Sequence, residues 1–216
     1  MKVLTAIFFV SLCTFSFGQE NQLALEPVLG KEPISLEQPV NWGENGEMTF
    51  TEFKFYLSNI HLDKEQQAED VHADSVVLFD LSADSIPHFR VPSVTANTNL
   101  SMTLGNDSVV STMGAMGGKL DPMYGMYWSW QSGYIHVKLS GRWKKDGRTQ
   151  EFTYHLGGYH SYNVNLSLTP TATRLRVDCQ SILEALLLQQ ANFHIMSPGK
   201  IGNDALELFT KGMQIF

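Results

Sequence analysis

The chain reads as a mainly β protein, an antiparallel β-sandwich with short helices at its C-terminal end. Three features point there. Short runs that alternate apolar and polar residues recur along most of the sequence, with turn-forming residues between them, as the half-buried strands of a sandwich require. Helical spacing of apolar residues appears only late, from Ser181 onward. The length, 216 residues, suits one undivided domain of this class.

The first segment reads as an address rather than as structure. Lys2 supplies a charge, Val3 to Phe17 an apolar core, and Ser16-Phe17-Gly18 a small-x-small cleavage site. A signal peptide over residues 1–18 is therefore expected, with a mature single domain over 19–216 delivered to the periplasm or secreted. The apolar run is shorter than the roughly 20 residues a membrane span needs, so no stable span is expected after cleavage. Cys13 follows Leu12 instead of the small residue that lipid attachment calls for. Cleavage leaves Cys179 as the only cysteine, and an intramolecular disulfide is excluded. Cys179 shares a face with Leu175 and Val177 and reads as buried filler.

Leu23 to Gly30 is the first strand, which Pro27 places at an edge or a strand end. Val40 to Gly46 is rich in turn formers. Thr51 to Leu62 alternates, with Phe53, Phe55 and Leu57 on one side; the register then shifts, so that Ile60 and Leu62 resume it, and a bulge at Ser58-Asn59 accounts for the shift. Asp63 to Ser75 is polar without period and reads as a surface loop. Val76 to Leu81 and Leu100 to Leu104 are further strands, and Gly105-Asn106-Asp107-Ser108 is a turn. Met113 to Gly118 forms a flexible approach to the next stretch.

That stretch, Asp121 to Trp143, holds three of the four tryptophans. Asp121-Pro122 and Gly125 form turns, and from Tyr134 a strand alternates Ile135, Val137 and Leu139 against Tyr134, His136 and Lys138. Trp128 and Trp130 are two apart, so an extended chain projects both indoles from one face. Arg142 to Lys145 ends a hairpin that turns at Asp146-Gly147. Phe152 to Leu156, Val164 to Leu168 and Arg174 to Cys179 are strands. Ser181 to Gln190 has helical spacing, with Ser181 and Glu184 placed as a capping pair. A second helix is expected over Ala205 to Lys211, capped by Asn203 or Asp204 and stopped by Gly212.

A net charge of −7 argues against a nucleic-acid surface. No serine occupies a Gly-x-Ser-x-Gly elbow and no glycine-rich phosphate loop is present, so no enzyme is read here. Seven histidines invite a metal reading. His155 and His160 bracket Gly157-Gly158, where a turn returns both imidazoles to one neighbourhood; His136 lies on the strand face with Tyr134 and Lys138, and His194 precedes Ile195-Met196. Imidazole suits copper and thioether suits cuprous copper, which brings in Met123, Met126 and Met196. Spacing alone, without a His-x-His or His-x-x-x-His pair, favours carbonyl-bonded strand histidines and methionines filling core gaps. His61, His72 and His88 read as surface residues.

Several blocks resemble the MbnP-like family of secreted copper-binding proteins. They are Phe55 to Ile60, Gly118 to Pro122, Gly125 to Ile135, Phe152 to Gly158 and Ile195 to Gly199, in the family's order. The resemblance implies copper capture or transfer through histidine together with a tryptophan oxidised to kynurenine. It implies Trp128 or Trp130 as the precursor, His155 and then His194 as the best-placed ligands, and Met126 and Met196 as candidate thioether donors. It also implies a dihaem partner of the MauG or cytochrome c peroxidase type as oxidant. A different reading of the same residues is a secreted interaction domain in which Trp128, Trp130 and Tyr134 line a groove for carbohydrate or peptide.

Overall fold

The computed structural model describes residues 20–64, 67–70, 76–83, 88–106 and 108–216. The expected signal peptide over 1–18, Cys13 and His72 lie outside the described residues. The chain opens with β1 (Glu20–Leu29), β2 (Glu32–Pro33), β3 (Pro39–Asn41) and the long β4 (Glu47–Lys64). There follow β5 (Gln67–Asp70), β6 (Val76–Asp80), β7 (His88–Pro92), β8 (Thr98–Leu104) and the short helix α1 (Ser108–Thr112). After two single 3₁₀ turns come β9 (Tyr127–Ser129), β10 (Gly133–Lys145), β11 (Arg148–Gly158), β12 (Tyr162–Leu168) and β13 (Arg174–Asp178). The end of the chain holds α2 (Gln180–Leu183), which continues as a π-helical stretch Glu184–Gln189, then β14 (His194–Ile195), α3 (Lys200–Lys211) and β15 (Met213–Ile215).

These strands form two sheets, one with β15-β13-β1-β2 plus β7, the other with β12-β8-β4-β10-β11-β14 plus β3, β5, β6 and β9. The sandwich expected from the alternation is thus present. Most pairings are antiparallel, but β1·β13 and β11·β14 run parallel. Leu23, Leu25, Leu175 and Val177 from the smaller sheet meet Phe50, Phe53, Phe55, Val137, Leu139 and Tyr154 from the larger in one apolar core. Phe209 of α3 closes that core edge-on against Phe53 and Phe55, at 6.3 and 5.8 Å between ring centroids.

Several local expectations hold for the reasons given. The pairing of β4 with β8 slips by one residue between Ser58 and His61, where Asn59 takes φ 50°, so the bulge restores Ile60 and Leu62 to the core. Asp146 and Gly147 both have positive φ, 51° and 74°, the geometry that a tight right-twisted hairpin demands. Cys179 is fully buried.

Other elements differ. Pro27 lies inside a sheet, not at its edge: β7 pairs with β1 up to Ala24 and β2 from Val28 onward, and the proline, which has no N–H to offer, falls in the gap between them. The polar loop expected over 63–75 contains β5, paired back on His61 to Lys64. The late helices start earlier than read. Cys179, not Ser181, is the residue at the cap position of α2, and Asp178 just before it accepts at Oδ1 from the N–H groups of Gln180 and Gly30, both at 2.8 Å. The second helix begins at Lys200, one turn before the expected Asn203 or Asp204 cap.

Gly141 sits in β10 with the Phe152 ring across it, and an added Cβ would overlap the Thr49 carbonyl oxygen and come within 2.9 Å of that ring. Gly141→Ala is expected to lower stability by about 3 kcal/mol through overpacking alone. A urea midpoint unchanged from wild type would contradict this packing.

Candidate metal centre

The outer face of the larger sheet has an apolar half and a charged half. On the apolar half Tyr56, Val76, Leu78, Met126, Tyr134 and Ile135 cluster with Leu120 beneath the segment that follows β8. The Tyr56 hydroxyl donates to the Lys119 carbonyl at 2.9 Å. The Tyr134 hydroxyl accepts from the Met116 N–H and lies 3.0 Å from the Leu120 carbonyl. Burial pushes both phenols up from their ordinary values, so they act as neutral hydrogen-bonding groups that pin the covering segment. Trp128 packs against this cluster, with its indole N–H buried and unpartnered among the described residues.

The charged half is a row. The Lys54 ammonium lies 2.9 Å from Asp80 and 3.8 Å from Glu52, and Lys138 lies 3.2 Å from Glu52. Both lysines also donate to carbonyls of the aromatic loop, Lys54 to Tyr124 and Lys138 to Gly125. Burial alone would raise the Asp80 carboxyl, but hydrogen bonds from Ser82 and Lys54 outweigh it and hold the group below its usual range. His155 ends the row, directly across from Lys138 in the β10·β11 register. Its pKa is depressed by burial first and by the Lys138 charge second, with Glu52 opposing, so the imidazole is neutral at pH 7.

Beyond His155 lies β14. Thr153 pairs with His194 and Tyr154 with Ile195; Tyr154 and Ile195 are buried in the core, so Thr153, His155 and His194 face outward together. Met196 follows directly after β14. His194 and Met196 are exposed. A strand separation of about 4.8 Å and a rise of about 3.3 Å per residue put His155 and His194 roughly 8 Å apart at Cα, within reach of one ion between two imidazoles.

The remaining residues singled out from the sequence fall elsewhere. No turn occurs at Gly157-Gly158; β11 runs through both, and the connection to β12 carries His160 to an exposed position against α3. His136 is fully buried at a bulge between Ile135 and Val137. Its Nδ1 accepts from the Asn106 N–H at 3.0 Å and its Nε2–H donates to the Gly158 carbonyl at 2.9 Å, so neither nitrogen is free for a metal. Met126 is buried in the apolar cluster and Met123 is 80% exposed. Among the described residues no three of His, Cys, Asp and Glu form a metal-holding group. The four imidazoles therefore do not converge. Trp128 is half-buried while Trp130, beyond the end of β9, is 73% exposed; with Tyr134 fully buried, the three rings do not line a shared groove.

Sequence reasoning passed over the row Asp80, Lys54, Glu52 and Lys138. The signal was there: Glu52 and Lys54 interleave with Phe53 and Phe55, which already marks them as the other face of that strand. Cys179 offers no thiolate, because burial raises its thiol well above the usual value.

A family model described as MbnP matches residues 18–197. Among solved structures the chain is similar to MbnP from Methylosinus trichosporium, at 15% identity and TM-score 0.55, over 77% of this chain and 78% of that one. No curated protein matches. At that identity the structural likeness speaks for the fold alone.

Two pH effects follow from the site. Burial depresses His136 to about 4, with the nearby His160 adding to the shift and the Gly158 hydrogen bond opposing it. The unfolded chain holds its proton up to about 6.5, so the stability due to a neutral His136 is complete above that pH and is lost as pH falls toward 4. The loss is about 3 kcal/mol, and urea melts between pH 7 and 4 should show it, with a flatter profile in His136→Gln. Lys138→Met should raise the His155 pKa, because it removes a repelling charge and frees Glu52 to attract; an NMR titration of the imidazole reads the shift.

Proposed function

The chain belongs to the MbnP family, and on that premise we propose that it is a periplasmic or secreted copper-binding protein that captures or hands on the metal and performs no turnover. One observation carries the reading: His155 and His194 occupy neighbouring outward positions across β11·β14, with the exposed Met196 just after β14 in the chain. Two imidazoles and a thioether are a donor set for soft, cuprous copper. His155 is already neutral at physiological pH, so the metal does not compete with a proton for its lone pair. No helix among the described residues is long and apolar enough to cross a membrane.

Oxidation of a tryptophan to kynurenine would supply an aniline nitrogen and a ketone oxygen, donors that indole lacks. Trp130 is the indole a dihaem partner of the MauG or cytochrome c peroxidase type can touch directly, being 73% exposed. Trp128 would need the cluster around it to open, although its unpartnered indole N–H is the polar group that gains most from the change.

Cuprous titration of the mature protein should raise its melting temperature by mass action. His155→Ala and His194→Ala should each weaken binding by about tenfold or more with the fold retained, and Met196→Leu should weaken cuprous binding more than cupric. Undiminished affinity in both histidine variants would remove this ligand set. Tandem mass spectrometry of protein from its own host should place added oxygen and lost carbon at Trp130 or Trp128; two intact indoles would leave histidine and methionine as the whole site.

A further inference from the structure

The loop Asp121 to Gly125 hangs between two fixed points. Before it, Leu120 is buried and its carbonyl lies 3.0 Å from the Tyr134 hydroxyl; after it, Met126 is fully buried and its carbonyl accepts from the Ile135 N–H at 2.9 Å. Between them the loop is tied to the sheet by two ammonium groups, Lys54 donating to the Tyr124 carbonyl at 3.5 Å and Lys138 to the Gly125 carbonyl at 3.3 Å. The seat on Lys138 is close, since a Cβ added to Gly125 would lie 3.4 Å from Nζ. The remaining bonds are internal: the Asp121 carboxylate accepts from the Met123 N–H and the Pro122 carbonyl from the Gly125 N–H, both at 2.9 Å. The loop can therefore lift as a unit without breaking its own turn.

Lys138 is also the direct cross-strand neighbour of His155. Such pairs stand about 5 Å apart at Cβ, and the ammonium charge acts on the imidazole. An ion held by His155 sets a second positive charge beside a lysine side chain that is only 15% exposed, where water screens the repulsion incompletely. His155 is fixed on its strand, whereas the lysine stem rotates freely, so the lysine is the partner that yields. Its present contacts survive its departure. Glu52 keeps Lys54 at 3.8 Å, and the exposed Gly125 exchanges an ammonium for water.

We propose that Lys138 couples the occupancy of His155 to this loop: a bound cuprous ion drives the ammonium off the Gly125 carbonyl and loosens the loop, and a partner that presses the loop back onto Lys138 expels the ion. The coupling rests on the copper reading given above and adds its regulation. Linkage makes the two halves one statement, because the factor by which the ion favours opening is the factor by which seating the loop weakens the ion's binding. The loop thus distinguishes loaded from empty protein, and Met123, 80% exposed, is the side chain it presents to a receiver.

Amide exchange read by mass spectrometry, on the mature protein at neutral pH without oxygen, follows the loop through the Met123, Tyr124 and Gly125 amides. Saturating cuprous ion should speed their exchange about fivefold or more and leave peptides of β13 unchanged. Lys138→Met should exchange fast without metal, show no further increase with it, and bind cuprous ion about fivefold more tightly or better. Lys54→Met should loosen the loop too, yet keep the response to the ion, because Lys54 lies one strand further from His155. Three outcomes would overturn the coupling and leave the copper reading standing: binding that depends on His155 with loop exchange unchanged or slowed, a full response surviving in Lys138→Met, or a loop as protected in metal-free Lys138→Met as in wild type. Absence of cuprous binding, or binding undiminished in His155→Ala, would remove the copper reading and the coupling with it.

Discussion

Much of this fold follows from one buried imidazole. His136 is held in a single tautomer between the Asn106 N–H, just after β8, and the Gly158 carbonyl at the end of β11. It is the extra residue of a bulge, and its ring occupies space that Gly105 and Gly157 leave open; a side chain at either glycine would collide with it. The bulge also changes which way its neighbours face. Tyr134 and Ile135, consecutive in sequence, both enter the outer apolar cluster, while Val137 and Leu139 go to the main core. An apolar patch on the outer face needs cover, and the segment from α1 through β9 provides it. Removing the imidazole would therefore loosen the attachment of the aromatic loop as well as one hydrogen-bonded pair.

The charged half of the same face is tied to that cover from the other side. Lys54 and Lys138 each hold a loop carbonyl while neutralising Glu52 and Asp80, so burying the row leaves its charges compensated. At its end, Lys138 has opposite effects on His155. It keeps the ring unprotonated, which favours a metal, and it repels a bound cation, which does not. Glu52, 3.2 Å from Lys138, offsets the second effect, and partial exposure of His155 screens what remains.

The sequence was legible where one local rule decided the outcome. Alternation located β4, β8, β10, β11, β12 and β13, a short apolar run located β6, the lost alternation after Leu57 located a bulge, and Asp146-Gly147 located a hairpin. It was opaque where pairing over long separations decided. Nothing near Pro27 says that two different strands will abut β1 on one side and leave a gap between them. The bulge at His136 breaks no visible pattern, since Tyr134 to Lys138 reads as perfect alternation; only the Asn106 N–H, 30 residues earlier, and the Gly158 carbonyl, 22 later, reveal why the ring turns inward. The pairing of histidines failed for a related reason. Gly157-Gly158 looks like a turn, but Gly157 lets the His136 ring and the Tyr134 backbone approach, Gly158 takes a φ of 126° beside Pro198, and the strand continues through both.

The placement of His155 and His194 bears on capture versus storage. His155 stands on an eleven-residue strand hydrogen-bonded to β10 along its length, so its position is fixed by the sheet. His194 stands on a two-residue edge strand, steadied by the Phe193 carbonyl accepting from the Thr153 N–H and the Asn192 carbonyl accepting from the Tyr154 hydroxyl. The two-residue pairing of β14 and the exposed His194, Met196 and Ser197-Pro198-Gly199 leave this segment less restrained than β11, with Ile195 as its anchor in the core. A donor set with one rigid and one yielding half releases its ion when the yielding half moves, without opening the core. A storage site gains from enclosure on all sides, whereas an edge site with an exposed imidazole and thioether leaves room for a second protein's ligands to approach the same ion. For the copper role proposed above, that geometry is the one that suits transfer better than storage.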